Sequence, residues 1–458
     1  MLEDVIKDKC GVFGIWGVEN ASQYAYLALH NLQHRGQEHC GIVSKSPRTF
    51  YRYYGEGIVQ DAFSKEILEK LRGNAALGHV RYRTEGSSNI KNAQPIYADT
   101  KNGKVAIAHN GEFANWKRAR EKVKELGHIF QTNSDTEIVL ANFAFAPKES
   151  IEEIIRYSFR KIKPSYSIGI LTENELIGIR DPRGVRPLVI GKLGNAYAIA
   201  SETCAFDIIG AKYIDEVKRG EMVTINDAGL KRIQLSPPEK ERLACIFEHV
   251  YIAMPNSFSF GSKYTNSVIR KEFGKQLARE HPADADVVVP VSDSGNSAAL
   301  GYSEESKIPF DFGLTRSHYI GRTFIEPTQQ LRDAKVKKKH SVDKSVVEEK
   351  RIVLVDDSIV RGTTSKKLIQ IIRDAGAKEI HVRISSPPYK YGCYLGVDTH
   401  DKKKLIAYTQ EDNEKIKKFI NADSLGYLSL EGMLKNEFLS KEGFCTHCFD
   451  GIKKISRR

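Results

Sequence analysis

The sequence lacks the features of a membrane or secreted protein. None of its apolar runs approaches the roughly 18 residues that a membrane-spanning helix needs. The first nine residues, MLEDVIKDK, are charged at short intervals and contain no apolar core of the kind found in secretory signals. We therefore expect a cytoplasmic protein with no membrane partner.

Composition argues against two further classes of protein. The chain has only 7 cysteines in 458 residues, an odd number that argues against a disulfide framework in a cytoplasmic protein. Hydrophobic residues make up 41% and charged residues 28%, which is ordinary for a folded globular protein and argues against disorder. At this length, two domains are the default expectation.

The chain is basic, with a formal net charge of +12. Its densest basic stretch, from Arg332 to Arg351, mixes Lys and Arg with acidic residues. Two interpretations stay open, a solvated surface and a site for a polyanion. A phosphorylated small molecule would use such charge as well as DNA would. No aromatic-basic platform or helix-turn-helix pattern stands out, so we expect no nucleic-acid partner.

The predicted elements change character near residue 235. From Cys10 to about Gln234, short strands such as VAIAHNGEF and SYSIGILT alternate with two helical stretches, ASQYAYLALHNLQHR and SDTEIVLANFAF. Ser134 is the candidate N-cap of the second helix, with Glu137 three residues on. Many strands with few helices predict an α+β domain. The segment LSPPEKERLAC (235–245) predicts a linker.

Beyond the linker, strands alternate with helices. DVVVPV, KRIVLVDD and EIHVRIS are predicted strands, and TTSKKLIQIIRDAGA is a predicted amphipathic helix. A strand, a short loop and such a helix form a βαβ unit, so residues 236–458 predict an α/β domain with a parallel sheet. The last 50 residues are expected to form a mostly helical appendage that carries a cysteine pair.

Cys10 begins a series of motifs that suit thiol chemistry. A lone thiol before the strand pattern GVFGI could equally be core packing. Arg81, in HVRYRTEG, lies where a strand becomes a loop and could fork onto a carboxylate. The turn HNGE could aim the Asn110 amide and the Gly111 N–H at one oxygen. Asp135, in NSDTE, could bind an amino group, although each motif alone has an ordinary structural explanation.

Together with LQHRGQEHCGI (32–42), these motifs resemble the glutaminase domain of the class II, or N-terminal-nucleophile, amidotransferases. The resemblance implies an αββα glutaminase domain over residues 10–235. It also implies a role for each motif residue: nucleophile for Cys10, glutamine carboxylate binding for Arg81, oxyanion hole for Asn110 and Gly111, and glutamine amino-group binding for Asp135. One departure is Glu85, where many relatives have a smaller residue. The resemblance therefore predicts the pocket but not the structure of its lip.

The resemblance further implies a processed N-terminus. A cysteine at a free chain start lies beside an α-amine whose reference pKa is roughly 8, which suits that amine as the general base. Cys10 is encoded behind nine residues. We therefore predict that residues 1–9 are a propeptide that is removed during maturation.

A second motif, VLVDDSIVRGTT (353–364), follows an apolar strand and opens a helix. Two adjacent acids at a strand end cannot be core residues without partners, so Asp356 and Asp357 could bond two ribose hydroxyls and assist a metal. The run SIVRGTT could wrap a phosphate with N–H groups, hydroxyls and the positive helix terminus. The alternative is a simple capped strand–helix turn.

This motif is similar to the phosphoribosyl pyrophosphate (PRPP) signature of the type I phosphoribosyltransferases. The resemblance implies one Mg²⁺ per subunit, held by Ser294, Asp356 and Asp357, partly through water. The segment 316–339 resembles a loop that closes over PRPP and excludes water. The expected PRPP-binding residues are Asp356, Asp357, Ser358, Arg361, Gly362, Thr363, Thr364, Arg322 and Arg332.

A glutaminase domain followed by a PRPP domain resembles the amidophosphoribosyltransferase family. In that family, ammonia released from glutamine displaces pyrophosphate from PRPP and gives 5-phosphoribosylamine, which opens purine biosynthesis. The resemblance implies a homotetramer with feedback inhibition by purine nucleotides. Two alternatives are another class II amidotransferase, which would lack VDDSIVRGTT, and a PRPP-binding regulator on the same fold, which would not need Cys10.

Four cysteines from distant segments form a further candidate site, and they are Cys245, Cys393, Cys445 and Cys448. Their separations are too irregular for a self-contained zinc ribbon. Chemistry alone leaves structural zinc, a [4Fe–4S] cluster and unrelated free thiols as alternatives. LACIFEHVYIAMP, ISSPPYKYGCYLGVD and FCTHCFDG resemble the branch of the family that carries both a cluster and a propeptide, which implies one [4Fe–4S] cluster per subunit. Cys40 and Cys204 are expected to be packed thiols.

Overall fold

The structure is a computed structural model that describes residues 10–47, 49–82, 89–316, 340–399, 401–439 and 443–456. The predicted propeptide (1–9), Glu85, Arg322 and Arg332 lie outside the described residues. Within the described ranges, no helix is both long and apolar enough to cross a membrane.

Residues 10–234 form two antiparallel sheets. The strands, in chain order, are β1 (Gly11–Trp16), β2 (His39–Lys45), β3 (Phe50–Glu56), β4 (Ala75–Arg81), β5 (Ile96–Thr100), β6 (Gly103–Gly111), β7 (Tyr166–Thr172), β8 (Leu176–Arg180), β9 (Val189–Leu193), β10 (Ala196–Ala200), β11 (Lys212–Glu216), β12 (Glu221–Asn226) and β13 (Gly229–Gln234). One sheet has the order β11-β9-β10-β1-β4-β2-β3, and the other has the order β13-β12-β8-β7-β6-β5.

The two sheets pack face to face, and helices cover their outer faces. Small residues allow the close approach, because a Cβ atom on Gly14 would lie 2.8 Å from Leu176 Cδ1 of the opposite sheet. This α–β–β–α layering confirms the predicted fold class. The helices of this region are Ala21–Asn31, Gln33–Arg35 (3₁₀), Val59–Ala62, Lys65–Lys70, Ile90–Asn92 (3₁₀), Trp116–Glu125, Thr136–Phe145, Ile151–Phe159 and Cys204–Asp207.

The rest of the chain is built around a parallel sheet. Its strands are β14 (Ala244–Cys245), β15 (Val287–Pro290), β16 (Leu314–Arg316), β17 (His340–Val342), β18 (Arg351–Asp356), β19 (Glu379–Ile384), β20 (Ser424–Tyr427) and β21 (Phe444–Cys445). The parallel sheet has the order β15-β18-β19-β20, whereas β14 pairs with β21 and β16 pairs with β17. This architecture confirms the predicted α/β class for the second region.

Helices cover both faces of the parallel sheet. Alternate residues of a strand point to opposite faces, so Val288 packs with the Asn266–Glu280 and Asn296–Ser306 helices, while Val287 and Val289 pack with the Thr363–Asp374 helix. The remaining helices are Glu248–Ile252 (π), Lys344–Val347, Lys402–Lys404 (3₁₀), Ile406–Thr409, Asn413–Ile420, Leu430–Leu434 and His447–Asp450.

Two local predictions differ from the structure. The helix at 136–145 has no capping box, because Glu137 instead accepts hydrogen bonds from the backbone N–H groups of Gln131 and Thr132, each at 2.8 Å. A buried carboxylate needs partners, and the preceding loop supplies them. The last 50 residues are also more than a helical appendage, because β20 pairs with β19 inside the parallel sheet.

Candidate active site

The first candidate site lies where β1 begins and β4 ends. Cys10 directly precedes β1 and is a half-buried residue. Strand β1 pairs antiparallel to β4 with Gly11 opposite Val80. That register places Cys10 beside Arg81, the last residue of β4, whose side chain is largely buried.

A buried arginine holds the main chain of Cys10. The Nε of Arg35 donates to the Cys10 carbonyl oxygen at 3.0 Å. Its two terminal nitrogens donate to the Glu248 carboxylate at 2.9 and 3.1 Å, and one also contacts Glu202. Burial disfavours the charged carboxylate, but His34 and Arg35 outweigh that effect and lower the pKa of Glu202. An ionised, paired cluster therefore fixes the chain beside the thiol.

Asn110 and Gly111 lie at the end of β6. The Nδ2 atom of Asn110 is 3.5 Å from Ser201 Oγ, and the same oxygen accepts from the Val12 N–H at 2.9 Å. These bonds connect the Asn110 side chain to the strand that begins at Gly11. Gly111 has φ +143, and a Cβ atom there would lie 2.5 Å from Ser165 O, so only glycine fits.

Asp135 lies against the same turn. Its Oδ2 accepts from the Phe113 backbone N–H at 2.9 Å, and its Oδ1 is 3.5 Å from His109 Nδ1. The backbone N–H of His109 in turn donates to Gln94 Oε1 at 2.8 Å. The carboxylate predicted to bind an amino group is thus beside the predicted oxyanion turn.

Sequence reasoning missed several residues that support this site: Arg35, Gln94, Ser165, Arg186, Ser201, Glu202 and Glu248. Each is buried, and each bonds to a motif residue or to its immediate neighbours except Arg186, which bonds to Glu248. Arg35 belongs to the LQHRG motif, so that signal was present. The others bond mainly to partners far away in the chain, and no local pattern marked them.

The second candidate site lies at the carboxyl edge of the parallel sheet. Strand β18 ends at Asp356, whose Oδ1 accepts from the Asp357 N–H at 2.8 Å. Ser358 Oγ donates to Asp357 Oδ2 at 2.7 Å. Ser294, from the loop after β15, hydrogen-bonds to Asp356. Burial and then the Asp357 charge raise the pKa of Asp356 well above its ordinary value.

The loop after Asp357 leads into the N-terminus of the Thr363–Asp374 helix. Gly362 has φ +77, and a Cβ atom there would lie 2.6 Å from Ile406 Cδ1, so the turn requires glycine. Thr363 is exposed, and Arg361 and Thr364 are half-buried. The predicted phosphate loop therefore faces solvent beside the two acids, at the positive end of a helix.

The four predicted cluster cysteines lie close enough to interact electrostatically, where the two regions pack together. Cys245 of β14 is directly opposite Cys445 of β21, and Cys448 lies in the helix that follows. Burial raises the pKa of Cys445 to about 12, with a further contribution from Cys245. Cys393 also interacts electrostatically with Cys445 and Cys448.

All seven cysteines are described, and none forms a disulfide. Cys40 and Cys204 are buried, which confirms their prediction as packed thiols. Among the residues described here, no three His, Cys, Asp or Glu side chains are grouped as ligands of a metal ion. The gathered thiols are nevertheless the right donor type for an iron–sulfur cluster, in which each cysteine binds a different iron atom.

Comparisons with known proteins match both regions. Residues 79–207 match a glutamine amidotransferase domain, and residues 269–417 match a phosphoribosyl transferase domain. A chain with both domains is a glutamine-dependent transferase.

Relatives match almost the whole length of the chain. Amidophosphoribosyltransferase 1, chloroplastic, from Arabidopsis thaliana is 47% identical over 97% of this chain and 78% of its own. The amidophosphoribosyltransferase of Bacillus subtilis is 44% identical over 97% of this chain and 94% of its own. The structure of the B. subtilis glutamine PRPP amidotransferase complexed with ADP and GMP matches with a TM-score of 0.92 at 43% identity, covering 98% of each chain. The chain belongs to the amidophosphoribosyltransferase family.

Proposed function

We propose that this chain makes 5-phosphoribosylamine from glutamine and PRPP, the first step of purine biosynthesis, with the residues of its two candidate sites. One observation carries the assignment of residues. Cys10 lies beside Arg81 where β1 begins and β4 ends, and the Ser201 hydroxyl links Asn110 to β1, in a chain whose other half presents two acids and a helix N-terminus. A glutaminase alone would not need the two acids and the helix N-terminus, and a PRPP-binding protein alone would not need Cys10.

The first half-reaction is the hydrolysis of glutamine. Arg81 binds the substrate carboxylate and Asp135 binds its amino group. The Cys10 sulfur attacks the amide carbon, and the oxyanion that forms is stabilised by the Asn110 amide and the Gly111 N–H, each contributing about 3 kcal/mol. Ammonia leaves, the thioester forms, and water then hydrolyses it to glutamate. Removal of residues 1–9 frees the α-amine that takes the thiol proton.

The second half-reaction takes place at the carboxyl edge of the parallel sheet. Asp356 and Asp357 hold the ribose hydroxyls, and the loop from Ser358 to Thr364 binds the 5-phosphate through its N–H groups and hydroxyls. Arg322 and Arg332 are predicted to bind phosphates as the loop closes. Ammonia attacks C1 of the ribose, the bond from C1 to the pyrophosphate oxygen breaks, and pyrophosphate leaves.

Two cofactors belong to this proposal. Ser294, Asp356 and Asp357 would hold Mg²⁺, which supplies charge neutralisation for the pyrophosphate. The raised pKa of Asp356 supports this assignment, because a cation would relieve the repulsion between adjacent carboxylates. Cys245, Cys393, Cys445 and Cys448 would hold a [4Fe–4S] cluster, whose role is structural or oxygen-sensing because neither half-reaction transfers electrons.

Two further properties follow from the family and stay predictions for this chain, a homotetramer and inhibition by purine nucleotides. A location in the cytoplasm is predicted from the charged N-terminus and the lack of long apolar runs. The solved B. subtilis relative in complex with ADP and GMP supports the predicted inhibition by nucleotides. Sedimentation of the purified protein, with and without each nucleotide, tests the homotetramer. A monomer at micromolar concentration would contradict it.

The function is tested by pyrophosphate release in the presence of PRPP with either glutamine or ammonia. We expect Cys10→Ala to lose the glutamine-dependent reaction and to keep the ammonia-dependent one, because only the first uses the thiol. Cys40→Ala is the matched control, because its buried thiol donates to the Gly55 carbonyl oxygen at 3.8 Å, whereas the Cys204 thiol is 3.6 Å from Glu202 in the ion-pair cluster beside Cys10. A chain that binds PRPP but never releases pyrophosphate would instead be a regulator.

Maturation and cluster content are measured on the same preparation. Intact mass should correspond to a chain that begins at Cys10, and active protein that retains Met1 would contradict the propeptide. Anaerobically purified protein should absorb broadly in the visible range and contain iron. Colourless protein with stoichiometric zinc would favour the zinc alternative.

A further inference from the structure

The turn that carries Asn110 and Gly111 is held between two segments, one from each half of the chain. On one side, the Ser165 N–H donates to Glu112 O at 2.9 Å, and the Ala114 N–H donates to Pro164 O at 3.1 Å. On the other side lies Gly396, where a Cβ atom would be 3.0 Å from the carbonyl carbon of Gly111. The backbone of the second half therefore packs directly on the predicted oxyanion turn.

A serine hydroxyl joins the two segments. Ser165 Oγ donates to Leu395 O at 2.7 Å, in a buried hydrogen bond between residues 230 positions apart. The same hydroxyl oxygen accepts from the Glu112 N–H at 3.4 Å. Ser165 thus contacts both the turn and the segment that follows Cys393.

The Leu395 carbonyl is itself fixed by a buried ion pair. Arg186 Nη2 donates to Leu395 O at 3.4 Å, while Arg186 Nη1 donates to Glu248 Oε1 at 3.0 Å. Glu248 also binds Arg35, which holds the Cys10 carbonyl. Two buried routes therefore lead from the Leu395–Gly396 segment to the glutamine site, one to the oxyanion turn and one to the nucleophile.

We propose that the Leu395–Gly396 segment, acting through Ser165, is a positioning element of the oxyanion hole. The inference rests on the proposed role of Asn110 and Gly111. Gly111 has φ +143 and no side chain, so its own residue gives the turn little restraint. An oxyanion donor works only when it is fixed before the reaction, and here Gly396 and the Leu395 carbonyl of the other half contribute to fixing it. The glutaminase half is thus incomplete without residues 395–396.

The hydroxyl is tested with Ser165→Ala, and Ser158→Ala is its matched control. Both serines are fully buried, and each donates to a backbone carbonyl oxygen at 2.7 Å, but Ser158 binds Ile154 O within a helix. A donor that acts only in the transition state changes kcat and leaves KM alone, so we expect Ser165→Ala to lower kcat for glutamine hydrolysis about 10-fold with KM for glutamine unchanged. Ammonia-dependent pyrophosphate release should stay at the Ser158→Ala level.

The packing contact is tested with Gly396→Ala. Gly396 has φ +101, so alanine would strain the backbone as well as push against Gly111. Gly261→Ala controls for the strain, because Gly261 has φ +71 and a Cβ atom there would meet nothing within 4 Å. A displacement of about 1 Å can lower a rate by roughly 100-fold. We therefore expect kcat for glutamine hydrolysis to fall more in Gly396→Ala than in Gly261→Ala.

Asn110→Ala separates failure of this inference from failure of the proposed function. If Asn110→Ala hydrolyses glutamine at the normal rate, the proposed oxyanion hole is wrong. If that variant is inactive while Ser165→Ala matches its control in kcat, the positioning role alone is wrong. A parallel loss of glutamine- and ammonia-dependent activity in Ser165→Ala would also overturn it, because that result indicates a structural role. Ser165→Ala decides the question if Gly396→Ala does not fold.

Discussion

The two candidate sites differ in how their charges are compensated. Around Cys10, the buried ions are paired: Arg35 binds Glu202 and Glu248, and the pKa of Glu248 is lowered by Arg35 and Arg186 despite burial. At the phosphate loop, burial and an adjacent carboxylate instead raise the pKa of Asp356. The first site therefore has its charges paired before any ligand binds, whereas the second has two adjacent carboxylates whose repulsion the proposed Mg²⁺ would relieve.

The largest expected effect comes from removing the cation that is shared by the buried ion pairs around Cys10. Arg35→Ala leaves two buried carboxylates without their shared partner, so we expect a loss of about 3–5 kcal/mol in the free energy of unfolding. Urea unfolding measures it. Arg279→Ala is the control, since its pair with Glu305 at 2.8 Å is on the surface and should contribute less than about 1 kcal/mol. Equal losses in the two variants would show that burial of the pair has no energetic consequence.

A smaller effect on stability is expected at the second site, where removing a charge should stabilise the folded protein. A raised pKa means that ionised Asp356 destabilises the folded protein, and the penalty grows as pH rises above the ordinary value of 3.8. We therefore expect Asp356→Asn to stabilise the metal-free protein at pH 7, with a higher Tm than wild type, and to lose pyrophosphate release. Thermal unfolding with and without Mg²⁺ and PRPP measures both: wild type should gain Tm on addition, and the variant should gain little. A less stable variant would contradict the repulsion between the two carboxylates.

The smallest expected effect is the loss, at mildly acidic pH, of the stability that the ion-paired Glu202 carboxylate contributes. Because the folded-state pKa of Glu202 is lowered, its stabilising contribution is complete above its ordinary value of 4.5 and is lost as pH falls below it. We expect the stability difference between wild type and Glu202→Gln to shrink as pH falls from about pH 5.5 through roughly pH 4.5. Urea unfolding across this range measures the difference. A difference that grows in acid would contradict the lowered pKa.

The fold class was predictable because its signals are local. Alternating or continuous apolar patterns marked the strands, such as β6 in VAIAHNGEF and β18 in KRIVLVDD, and the amphipathic TTSKKLIQIIRDAGA formed the helix at 363–374. The same reasoning was wrong for the capping box at Glu137 and too simple for the last 50 residues. In both cases a contact with another segment decided the conformation, and periodicity carries no information on such contacts.

The sequence by itself determined the candidate reactive groups: a cysteine before a strand, an Asn-Gly turn, and two acids followed by a glycine-containing loop that is predicted to bind phosphate. Their chemistry depends on residue type and short spacing, which the chain displays directly. Only the tertiary structure decided how those groups are held, through Arg35 on the Cys10 carbonyl and Ser165 on Leu395. Those bonds join residues 25 and 230 positions apart, and burial gives them their strength, so they exist only once the chain has folded.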